Sequence, residues 1–191
     1  TAINGTIDLD GKDITVNGDM SANVIDTNGT NDVVIKGEIE GTTSVTMNGD
    51  NKLEMQKDVQ GGTVSLNGSV IDAQGEVETK TGALTIGTAT KSAGTVSFSE
   101  KVIAKTAITA LVTKSLTFSD DTVAKTGNIT ITDNGSFEAK KNFEATEGKI
   151  DITANGTAKF NTVTAGGTIN IQNTNGEVTF NAAVDAQGTD Q

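Results

Sequence analysis

Between Gly127 and Gln187 the chain repeats one arrangement of apolar and polar positions three times. The units 127–147, 148–166 and 167–187 each open on Gly, continue with an apolar-x-apolar pair and turn at Asn-Gly. A second such pair and a single apolar position follow. Ile129 and Ile131, Ile150 and Ile152, and Ile169 and Ile171 are the first pairs. Alternation with period two predicts short strands with one face buried, so Ile150 and Ile152 point inward while Asp151 points out.

The pattern extends backwards as five rows in phase. Ile108, Ile129, Ile150 and Ile169 form the first, and Ala110, Ile131, Ile152 and Ile171 the second. Val96, Leu116, Phe137, Ala158 and Val178 form the third, and Phe98, Phe118, Ala139, Phe160 and Phe180 the fourth. Ile103, Val123, Phe143, Val163 and Val184 are assigned to the fifth. A fixed step near 20 residues marks a stacked repeat: one coil cannot bury its own inward face, and stacking places like residue on like residue along one core. The expected fold is all-β, a single-domain parallel β-helix (β-solenoid) with coils of about 20 residues and three strands per coil.

The coils 43–61, 62–81, 82–106 and 107–126 precede the three clear units. The long coil 82–106 carries surplus residues near 88–93, read as a surface loop. Residues 1–42 are read as irregular first coils or a cap. Ile7 and Leu9 open a coil there, Ile14 and Val16 supply its second strand, and Val24 or Ile25 its third. Residues 188–191 are read as a polar tail. The eight Asn-Gly pairs are also strong hairpin signals, which makes an antiparallel β-sandwich the alternative fold. The five phased rows favour the solenoid, with Asn and Gly supplying positive φ at its corners.

Composition narrows the function classes. The 191 residues include no Pro, Cys, His, Trp, Tyr or Arg, and their formal net charge is -11. Such a balance opposes binding to nucleic acid and to anionic lipid, and no run is long enough for membrane insertion as a helix. Without His or Cys there is no Ser-His or Cys-His nucleophile pair. The carboxylates Glu138, Glu144 and Asp151 are the material for a polysaccharide-active enzyme, the least favoured reading. The expectation is a protein that is not an enzyme. One motif points to a cation: Asp8, Asp10 and Asp13 in Asp8-Leu9-Asp10-Gly11-Lys12-Asp13 have the spacing of a calcium loop, though the closing Glu of an EF-hand is missing. Calcium is therefore the candidate cofactor, with an acidic β-turn as the simpler account.

The units GTVSFSEKVIAKT, GNITITDNGSF and GTINIQNTNGEVTF resemble the β-solenoid passenger regions of bacterial autotransporters and of filamentous-haemagglutinin-type adhesins. The resemblance spans residues 43–187. It implies a secreted, cell-surface location and a structural or adhesive role, and transfers no functional residue. Two partner expectations follow. The strand edges at a solenoid end favour self-association into a homo-oligomer, filament or layer. A loop at 88–93 on a rigid rod suits a surface receptor or glycan.

Overall fold

The computed structural model describes residues 2–188, and side chains from residue 4 onward. Every pairing among the described strands is parallel, and these residues contain no helix. The chain winds as a β-solenoid of nine coils with three strand faces, and the antiparallel sandwich is thereby excluded. At about 4.8 Å per coil the stack is about 43 Å long.

Three inward rows run the length of the stack. On the first face Ile7, Ile25, Val45, Val64, Leu84, Ile108, Ile129, Ile150 and Ile169 stand in register. The second face stacks Ile14, Val33, Leu53, Ile71, Val96, Leu116, Phe137, Ala158 and Val178. The third stacks Met20, Ile39, Val59, Val77, Val102, Thr122, Phe143, Val163 and Val184. Residues 2–42 therefore follow the ladder of the later coils. Ile25 opens the second coil instead of closing the first, and Met20 is the third-face residue that the sequence reading passed over.

The fifth row also needs correction. Ile103 and Val123 pair with each other but point outward, half-buried, while their neighbours Val102 and Thr122 face the core. Thr122 pairs with Phe143, which fixes the phase. In Val102-Ile103-Ala104 and Thr122-Val123-Ala124 hydrophobicity alone picks the wrong member, because the row accepts a threonine.

All six phenylalanines belong to one aromatic chain. Phe98 stacks on Phe118 at 5.1 Å, Phe137 lies 5.0 Å from Phe160, and Phe160 stacks on Phe180 at 5.2 Å. Phe143 enters from the third face, edge-on to Phe137 at 5.5 Å. Offset and edge contacts of this kind add to what burial contributes.

The corners work by close approach, not by positive φ. Among the described residues only Gly87 has a positive φ, 65°, where the chain leaves the first face for its surplus loop. At the later Asn-Gly corners, those of Gly135, Gly156 and Gly176, a side chain would strike the coil beneath. A Cβ on Gly156 would lie 2.5 Å from the Gly135 carbonyl oxygen, and one on Gly176 would lie 2.2 Å from that of Gly156.

Candidate functional site

The calcium-loop residues separate in the fold. Asp8 and Asp10 lie exposed on the outward side of the first face. Asp8 is in register with Asp26 of the next coil, and Asp10 with Asn28. Asp13 stands past the corner and accepts a hydrogen bond from Asn31 Nδ2 at 2.6 Å. The register sets a further carboxylate, Asp26, beside Asp8. Burial first, and then the charges of Asp8 and Asp10, raise its pKa above the usual aspartate range. Asp26 lies 18 residues from Asp8, so only the coil register reveals it. Among the described residues no three carboxylate side chains form a group that could hold a metal ion.

The other acidic candidates are dispersed. Glu138 sits on the second face, in register with Lys159 and 3.8 Å from Lys140. Glu144 is on the third face and accepts hydrogen bonds from Asn142 Nδ2 and Thr146 Oγ1, each at 2.8 Å. Asp151 is on the first face, where Asn170 Nδ2 donates to it at 3.3 Å. No two of the three share a face.

A different pattern emerges on the surface. Amides sit on carboxylates one coil apart: Asn31 on Asp13, Asn51 on Asp32 at 2.7 Å, and Asn170 on Asp151. Asn67 Nδ2 likewise donates to Asn48 Oδ1 at 2.8 Å. Asn170 and Asn67 stand in register with their partners, while Asn31 and Asn51 reach one position across at a corner, and each pair joins two coils from outside the core. The loop at 87–92 joins this layer. Lys91 reaches back across the coil of Asn67 to form an ion pair with Asp50, so the loop is tied to the outer surface. A polar groove of about 380 Å³ runs along the corner between the second and third faces, lined by Gln56, Asp58, Gln74 and Glu76 among others.

The two end coils differ from the interior. In coil 167–187 the core row reaches solvent: Phe180 is 40% and Val184 47% exposed, and Ile169, Ile171 and Val178 are half-buried. At the opposite end Ile7, Leu9, Ile14 and Val16 are half-buried against the core. Among the described residues the strands at Ile169–Asn173, Val178–Phe180 and Val184–Ala186 are paired on one side only. No family model, curated protein or solved structure matches the chain.

Proposed function

We propose that this chain is an extracellular structural element of the bacterial cell surface, a rigid β-solenoid that associates end to end with copies of itself. The observation that carries the reading is the uninterrupted parallel ladder, in which each coil pairs in register with the next along the same inward rows. Unpaired parallel edges beside apolar side chains are templates for a further coil. End-to-end contact between different surfaces is heterologous and grows into a filament or layer. The continuous aliphatic and aromatic core supports a load-transmitting rod, and the resemblance of residues 43–187 to surface solenoids supports the location. In sedimentation velocity the unmodified chain forms concentration-dependent polymers, and Phe180→Asp combined with Val184→Asp leaves monomers. Monomers of the unmodified chain at all concentrations would overturn the reading and shift attention to a receptor or glycan ligand.

A further inference from the structure

We propose that Asn155-Gly156 is a site of spontaneous covalent modification, where the Gly156 backbone nitrogen closes on the Asn155 side chain to form a succinimide that opens to aspartate and isoaspartate.

Every Asn-Gly pair has the groups for this chemistry, because glycine places no side chain beside its own nitrogen. The fold decides which pairs can use them. Ring closure turns the Gly nitrogen toward the Cγ of the preceding Asn, out of extended backbone. Asn28-Gly29, Asn48-Gly49 and Asn67-Gly68 lie within long strands and stand in register through three coils. They would have to leave the ladder to react.

The three later pairs sit at one corner, between strands. The row Asp133, Ala154 and Asn173 sets them apart. Asp133 Oδ1 accepts the Gly135 N–H at 2.8 Å, and Asn173 Oδ1 accepts that of Gly176 at 3.0 Å. Ala154 offers no acceptor, and the Gly156 N–H finds none among the described residues. Of the three nitrogens, solvent base can deprotonate this one without breaking a hydrogen bond.

A second contact favours the same pair. Asn175 Nδ2, one coil on, donates to Asn155 Oδ1. It draws electron density from Cγ and stands where negative charge collects during attack. Among the described residues no side-chain donor reaches Oδ1 of Asn134 or of Asn175. Asn17-Gly18 also lies outside the strands, but its Asn lacks such a donor.

The step balances without an oxidant. Solvent base takes the Gly156 amide proton, and the nitrogen lone pair bonds to Asn155 Cγ. The Cγ–Nδ2 bond breaks, and Nδ2 leaves as ammonia. Water then opens either carbonyl of the ring. An ordinary aspartate at position 155 could accept from Asn175 as Asp151 accepts from Asn170. Isoaspartate instead lengthens the main chain at a tightly bonded corner. There the Asn155 N–H donates to the Asp133 carbonyl at 3.0 Å, and the Gly156 carbonyl accepts the Asn173 amide at 2.7 Å.

The test holds the folded chain at mildly alkaline pH, beside a sample in denaturant, and follows each Asn by peptide mass mapping. Lys149 and Lys159 bracket Asn155, so trypsin isolates it from every other Asn. In denaturant the three corner pairs should convert at similar rates. In the folded chain Asn155 should convert several-fold faster than Asn134 and Asn175. Ala154→Asn returns the acceptor that the neighbouring coils possess and should slow position 155 to their rate. Asp133→Ala, measured separately, should speed Asn134 several-fold. Equal rates at the three corners of the folded chain would overturn the proposal, as would an Asn155 that stays intact there. A folded Ala154→Asn chain that converts at 155 as fast as the unmodified one would also overturn it.

Discussion

Asp133 and Asn173 hold the same corner of the solenoid two coils apart, with Ala154 between them in the row. Asp133 Oδ1 accepts the Gly135 N–H at 2.8 Å, and Asn173 Oδ1 accepts the Gly176 N–H at 3.0 Å. The amide of Asn173 also donates to the Gly156 carbonyl at 2.7 Å, whereas Oδ2 of the buried Asp133 has no partner. The corner needs an acceptor for a backbone N–H and has no use for a charge.

Replacing that carboxylate should therefore stabilise the rod. Burial raises the Asp133 pKa above the usual aspartate range, against the lowering effect of the Gly135 backbone N–H bond. The native state thus holds its proton to higher pH than the unfolded chain does. Its contribution is most favourable below the ordinary aspartate pKa of about 3.9 and is lost as pH rises through the raised value. Asp133→Asn keeps the acceptor and places an amide one coil from the Lys114 carbonyl. It should gain about 1 kcal/mol at neutral pH. Thermal unfolding at about pH 7 and about pH 3 checks this, with the advantage over the unmodified chain shrinking in acid.

Thr122 offers a second gain. Its hydroxyl is buried without a partner in a row between Val102 and Phe143. Thr122→Val removes an unsatisfied polar group at nearly constant shape, and should raise stability by about 1 kcal/mol in chemical denaturation.

Gly156→Ala should do the opposite. Its new methyl would sit 2.5 Å from the Gly135 carbonyl oxygen, a backbone atom fixed by the coil beneath. Forcing these coils apart should cost about 1–3 kcal/mol, visible as a lower denaturation midpoint.

The aromatic chain predicts a gradient. Phe118 is fully buried and touches Phe98, Phe137 and Phe143, so Phe118→Ala should cost about 3–5 kcal/mol. Phe180, at the exposed end of the same chain, should cost much less in the isolated protein. Equal losses at the two positions in denaturant titrations would contradict the stacking order.

How far the sequence could be read depended on how cleanly each row kept its type. Ile129, Ile150 and Ile169 repeat one residue behind one glycine, and their coils were legible directly. At Thr122 a polar residue in the core displaced the row by one. Near the beginning Thr27 faces the core in a row that Leu9 and Met47 share, so the phase there was hidden until Ile25 was seen paired with Ile7 and Val45. The surplus residues between Ile86 and Ala93 were visible as a length anomaly, but their attachment through Lys91 to Asp50, 41 residues away, was not. The approach of Asp26 to Asp8 was hidden for the same reason: it is a relation between coils, and the register had first to be known.

The most direct measurement is negative-stain electron microscopy of the purified chain, with calcium and with chelator. Filaments or sheets are expected, whose diffraction shows a repeat of about 4.8 Å along the rod axis. A difference on chelation would implicate the Asp8, Asp10 and Asp13 end in cation binding. Isolated rods about 43 Å long in both conditions would contradict end-to-end association.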